Sequence, residues 1–255
     1  MVAKYSQSRR TLVRQAFAAS LPVLTGYATM GFAAGVLLAL HGGLANPGVW
    51  AGASSAVLVS GPLQFLFVDW VKSGTAFADV AALVVCLNIR YSLYGLSLLE
   101  RFGAARLPIR AYLIGTITDE TYALQVQCPY PPGPDGTFYC LMLALFDHAY
   151  WVFGVTAGAV AGAALPFAAK GIDFAMTALF LVILTDLCRV RANRIPAAIG
   201  ACAAVAAAVF MRVLFDSWKM LVPAMALAVA TLLAIRRLFP NTDSKFQKER
   251  SHDEP

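Results

Sequence analysis

Residues 15–235 form a stretch of 221 residues that carries only 21 of the chain's 34 charged side chains, whereas residues 1–14 hold 4 and residues 236–255 hold 9. A body so poor in charge is suited to hydrocarbon, where each spanning helix needs roughly 20 apolar residues. Charged residues make up 13% of the 255-residue chain, against about 25% in ordinary soluble domains. Mean hydropathy is +0.67. These values exclude a cytosolic globule. The excess of 20 Lys and Arg over 14 Asp and Glu is therefore read as positive charge held at the cytoplasmic face of a membrane, with no nucleic acid partner. The apolar run after Arg14 continues to about Leu40, longer than the 7–15 residues or so of a signal-peptide core, so this segment is expected to remain as a membrane helix.

Apolar runs between turn signals predict segments at about 15–40, 49–70, 76–98, 110–127, 138–165, 171–188, 196–213 and 218–235. The expected fold is an all-α integral membrane protein with seven or eight hydrophobic segments, one or two of them re-entrant or broken. A basic N-terminal tail (1–14) and a polar C-terminal tail (239–255) would flank a single permease domain (15–238), both tails cytoplasmic. Lys and Arg gather at the N-terminus, in the 101–110 loop, in the 189–194 loop, at the end of the last segment and in the tail. All five places should face the cytoplasm. Three segments separate the first from the second, and three more separate the second from the third. Either one segment in each triplet fails to cross, or one Arg loop lies outside. In the first triplet the weak member is 49–70, because Ser60-Gly61-Pro62-Leu63-Gln64 breaks a helix in mid-segment. Irregular backbone at that depth is tolerated only where protein or a wet cavity surrounds it.

Ionisable groups inside such segments cost at least about 2.5–3.5 kcal/mol each and so mark candidate sites. CLNIRYSLYGLSL places Asn88 and Arg90 midway along the third segment beside Tyr91 and Tyr94. Arg90 is either a fork for a substrate carboxylate or the ion-pair partner of an acid on a neighbouring helix. GTITDETYAL sets Asp119 and Glu120 side by side; on a helix they point about 100° apart and cannot share one task. One would meet Arg90 while the other faces a cavity and carries a proton, or both are solvated acids near the surface. LFDHAYWVFG offers His148 as a proton-coupling group or as a fixed interfacial side chain, with Tyr150 and Trp151 suited to the headgroup belt. Gly154, Gly158 and Gly162 form a small-residue stripe for close helix packing. Asp173 is read as a helix cap or a substrate contact, and Asp186 and Arg189, three residues apart, can pair locally. The five cysteines show no metal-site spacing, and no nucleotide or metalloenzyme motif occurs. Cys128 and Cys140 flank PYPPGPDG as either a disulfide or two free thiols.

Taken in order, GFAAGVLLALHGGL, SGPLQF, LNIRYSLYGLSL, TDETYAL, HAYWVFG and GIDFAMTALF closely resemble the AzlC family, the large subunits of branched-chain amino acid (LIV-E type) exporters, over roughly residues 10–235. The resemblance implies a multi-pass permease of the bacterial inner membrane working with a small AzlD-type membrane subunit. It implies proton-driven export of valine, leucine, isoleucine and sometimes methionine, with no cofactor and no enzymatic activity. On the motif positions it points to Gln64, Asn88, Arg90, Asp119, Glu120, His148, Tyr150, Trp151, Asp173 and Phe174. The chain departs from the family pattern at Gly61-Pro62-Leu63 and at Tyr91, which leaves the substrate open.

The sequence thus nominates Arg90, Asn88, Gln64, Glu120, Asp119 and Tyr94 for an amino acid substrate, with Asp119, Glu120 and His148 as candidates for proton coupling. Phe65 and Leu93 would accept the substrate's apolar side chain. Transport of a different small amphiphile and a non-transporting scaffold subunit are the alternatives.

Overall fold

The computed structural model describes residues 8–103, 105–164 and 191–214 continuously, with single positions between 174 and 189 and between 227 and 234. Apart from those single positions, the expected segments 171–188 and 218–235 lie outside the described residues, as do Asp173, Asp186 and the C-terminal tail. All regular structure among the described residues is helical. The helices are α1 (Arg9–His41), α2 (Pro47–Val57), α3 (Gly61–Ser73), α4 (Phe77–Ser97), α5 (Leu107–Gly115), α6 (Asp119–Val126), α7 (Pro134–Ala164) and α8 (Arg191–Leu214). The chain divides into two compact units, Met1–Phe77 with Leu87–Ala175, and Ala78–Cys86 with Met176–Pro255. In the second unit α8 leaves Val205, Val209 and Phe210 exposed.

α1 and α7, with 33 and 31 residues, are each long and apolar enough to cross a membrane; α4, bent near its middle, makes a third. At about 1.5 Å per residue the two long helices reach roughly 45–50 Å, beyond the hydrocarbon core of about 30 Å. Arg9, Arg10 and Arg14 sit on the first turns of α1, so the helix begins before the apolar run does.

The first unit is built on α1 and α7, which lie side by side and run in the same direction. Arg9 sits over the Phe138 ring, Phe17 meets Phe146 and Ser20 meets Tyr150. Further along, Gly31 faces Gly154, Gly35 faces Ala159, and Gly162 faces Val36. A Cβ on Gly35 would collide with the Val155 carbonyl oxygen, and one on Gly158 with that of Phe32. The glycine stripe is therefore a packing surface that lets two backbones touch, as its spacing indicates.

Between these helices the chain breaks twice. The expected segment 49–70 is two short helices, α2 and α3, separated at 58–60. Gly48 opposes Val160 and Gly52 opposes Thr156, so α2 runs antiparallel to α7 and reaches about its midpoint. Gln64 then donates to Ser54 at 3.0 Å. In one straight helix these residues would lie about 15 Å apart, so the chain turns sharply at the break.

The expected segment 110–127 is also two helices, a break that apolar periodicity did not reveal. Ile114 of α5 packs on Gly95, and Tyr122 of α6 stacks on Tyr94 with centroids 4.2 Å apart. Two positions eight residues apart thus lie at one height on α4, and the chain doubles back at Thr116–Thr118. Both short pairs start with Pro in a first turn, where the missing N–H is not needed.

Candidate functional site

The tips of the two broken pairs converge beside the midpoints of α1 and α7. Ser60, at the first tip, faces the Tyr91 hydroxyl. At the second tip Thr118 caps α6, its hydroxyl accepting the Thr121 N–H at 3.2 Å. Asp119 and Glu120 therefore occupy the first turn of a helix, not the middle of one.

The two acids point to different partners, as adjacent helical residues must. Asp119 Oδ2 lies 2.9 Å from Arg90 Nη2, and Tyr94 donates to Asp119 Oδ1 at 2.9 Å. Arg90 also donates to the Tyr91 hydroxyl at 3.2 Å. The paired side chains are 38% and 40% exposed, so this ion pair is only half covered. Glu120 turns the other way and accepts from the Tyr27 hydroxyl at 3.0 Å.

Of the other expected site residues, Gln64 is fully buried and bonded to Ser54. Asn88 lies on α4 two residues before Arg90, with a buried, unpartnered Oδ1. His148 Nδ1 is 2.9 Å from the Tyr112 hydroxyl, which fixes its ring between α5 and α7. Tyr150 and Trp151 fall at the centre of α7; Trp151 is buried edge-on against Tyr27, while Tyr150 is half-buried with its hydroxyl 3.0 Å from Ser20. Phe65 is buried, whereas Leu93 is 64% exposed, and Phe174 is exposed.

Three residues escaped the sequence reading as site members. Tyr27 is one of several hydroxyl-bearing residues along α1, with Ser20, Thr25 and Thr29, and nothing in the sequence sets it apart from them. Thr121 receded beside two acids. Asp147 was overshadowed by His148, yet it is 1% exposed, with Thr121 donating to its Oδ2 at 2.8 Å. Among the described residues, buried polar atoms with no partner gather at this height, including Gln64 Oε1, Arg90 Nε, Asp147 Oδ1 and Trp151 Nε1. Cys128 and Cys140 are free thiols within one buried cluster beneath the site.

Polar tips set between long apolar helices are the build of a membrane transport protein. The AzlC protein family model matches residues 22–165, which contain both tips, and the chain belongs to the AzlC family. An uncharacterized membrane protein of Haemophilus influenzae is 33% identical over 67% of this chain and 68% of its own length. One from Helicobacter pylori strain J99 is 30% identical over 88% of this chain and 95% of its own. The branched-chain amino acid transport protein AzlC of Bacillus subtilis is 26% identical over 88% of this chain and 85% of its own. No solved structure matches.

Proposed function

We propose that the chain is the large subunit of a two-component exporter of branched-chain amino acids and methionine in the bacterial inner membrane, driven by the proton-motive force. A small AzlD-type subunit would complete it. The observation that carries this reading is the half-exposed Arg90–Asp119 pair at the converging tips. A zwitterion can open such a pair, giving its carboxylate to the planar Arg90 fork and its ammonium to Asp119. The pair supports one alternative raised by the sequence, an acid on another helix for Arg90, without removing the ligand role. A scaffold would pair all its buried charges, and among the described residues Asp147 has no cation beside it.

The parallel course of α1 and α7 supports a topology in which the pairs α2–α3 and α5–α6 are re-entrant from opposite faces and α4 is the return crossing. The N-terminus and the 101–110 loop then share the cytoplasmic face, in agreement with the positive-inside rule. If 171–188 also crosses, so does the 189–194 loop, and the C-terminal tail is cytoplasmic.

Efflux of preloaded labelled valine and methionine, with the partner present and with or without a protonophore, tests the function. Protonophore-sensitive efflux that Arg90→Lys strongly lowers is expected; absence of efflux from cells with the complex in the membrane overturns it. The tyrosines around the pair, Tyr91, Tyr94 and Tyr122, favour a second reading, export of aromatic amino acids, which the same assay with labelled phenylalanine would reveal.

A further inference from the structure

A chain of hydroxyls links the exposed Glu120 to the buried Asp147. Glu120 Oε2 accepts from the Tyr27 hydroxyl at 3.0 Å. That hydroxyl also contacts Thr118 Oγ1 at 2.5 Å. Thr118 donates to Thr121 Oγ1 at 3.1 Å, and Thr121 donates to Asp147 Oδ2 at 2.8 Å. Tyr27, Thr118, Thr121 and Asp147 are 4%, 6%, 1% and 1% exposed, whereas Glu120 is open to its surroundings. Among the described residues the far oxygen of Asp147 has no hydrogen-bond partner.

Each link is a group that both donates and accepts, which is what stepwise proton transfer requires. Ordinary packing does not call for such an arrangement, since one donor to Asp147 would satisfy only one of its oxygens. Removing an ion from water with no counter-ion costs several kcal/mol.

The groups around Asp147 do not relieve that cost. α1 contributes Tyr27, α5 contributes Tyr112, and Asp147's own helix contributes His148, whose ring is held by Tyr112. α6 contributes Glu120, a like charge, and Asp119, which holds Arg90. No residue of α2 titrates, and the Asp69 and Lys72 of α3 lie near its C-terminal end.

We propose that Asp147 is the terminal site for the coupling proton and that Tyr27, Thr118 and Thr121 relay the proton to it from Glu120. When Glu120 is protonated its bond to Tyr27 reverses and the Tyr27 hydroxyl turns to donate to Thr118; in one passage the Glu120 carboxyl then gives its proton to the Tyr27 oxygen, Tyr27 gives its own to Thr118, Thr118 to Thr121, and Thr121 to Asp147. Every hydroxyl ends with one proton, Glu120 is left ionised and Asp147 neutral. The proposal rests on the transport reading and divides its labour, with the Arg90–Asp119 pair for substrate and the Glu120–Asp147 chain for the proton.

The test is pH-jump infrared difference spectroscopy on the full-length chain in lipid nanodiscs, which follows carboxyl C=O bands without any substrate. One band should vanish in Asp147→Asn. In Tyr27→Phe, which keeps the ring against Trp151, the band should persist but respond much more slowly to the jump. Loss of no band in Asp147→Asn, or unchanged kinetics in Tyr27→Phe, overturns the relay. Efflux in proteoliposomes separates this from the transport reading. If no amino acid is exported while the infrared results hold, the function falls and the relay stands. If a pH gradient still drives efflux in Asp147→Asn, the relay falls and the function stands.

Discussion

The Arg90 guanidinium and the Asp119 carboxylate meet at 2.9 Å from two different elements, a long helix and the tip of a broken one, and neither is buried. A half-exposed pair of this kind is held loosely enough to exchange partners. Hydrogen bonds to charged groups contribute about 1.5–3 kcal/mol, so losing one interaction with a substrate carboxylate should lower transport roughly 10- to 100-fold. Arg90→Lys keeps the charge and loses the planar fork, and should show that fall in labelled-valine efflux at unchanged membrane abundance. Normal efflux by this variant would remove Arg90 from the site.

The α1–α7 contact depends on the absence of side chains. Gly158→Ala would push a methyl into the Phe32 carbonyl, whereas a methyl on Gly200 in α8 would meet nothing within 4 Å among the described residues. Overpacking of this kind costs about 1–3 kcal/mol. The detergent-solubilised Gly158→Ala protein should melt at a distinctly lower temperature, while Gly200→Ala, with its better helix former, should match or exceed the parent. Equal melting of both variants would contradict the close backbone approach.

Re-entrant pairs make a labelling pattern that crossing segments cannot. Single cysteines at Ala45 and Thr75, before α2 and after α3, should react with an impermeant maleimide from the outside of cells. Cysteines at Ala105 and Gln127, on either side of α5–α6, should react only after permeabilisation. Labelling of Ala45 and Thr75 from opposite faces would mean that α2 and α3 together cross the membrane.

Cys128 lies in the loop between α6 and α7, where a hydrogen bond from Cys140 lowers its thiol to about 6, below the usual thiol range. Lowering means that the thiolate is already present at neutral pH and is lost as the pH falls through about 6. The maleimide labelling rate of Cys128 should therefore decline below that pH, and Cys140→Ala should move the midpoint upward. An unchanged midpoint in Cys140→Ala would show that the two thiols are not coupled.

The membrane character, the long apolar helices α1 and α7, the glycine stripe and the break at Ser60-Gly61-Pro62 were legible in the sequence, because each rests on local composition. Apolar runs report hydrocarbon, four-residue spacing puts glycines on one face, and Pro removes a helical donor wherever it occurs. The opposite directions of Asp119 and Glu120 were likewise fixed by the 100° step between helical neighbours. Local signals failed at Thr116–Thr118, since Gly-Thr-Ile-Thr contains no proline and remains apolar enough to pass as continuous helix. They failed again at Trp151, because an aromatic side chain suits an interface and a core equally well by composition.

What only the tertiary structure decided is which polar groups share a site. Tyr27, Thr121 and Asp147 come from α1, α6 and α7, and nothing near any of them in the chain announces the others. Their association follows from the parallel seating of α1 against α7, which glycine permits and only three-dimensional packing sets in register. The sequence determined that charge in this apolar body must serve some purpose, because desolvation is costly whatever the fold. The structure decided that Arg90 has a counter-ion and that Asp147 has none among the described residues, because an ion pair depends on distances that no spacing along the chain encodes.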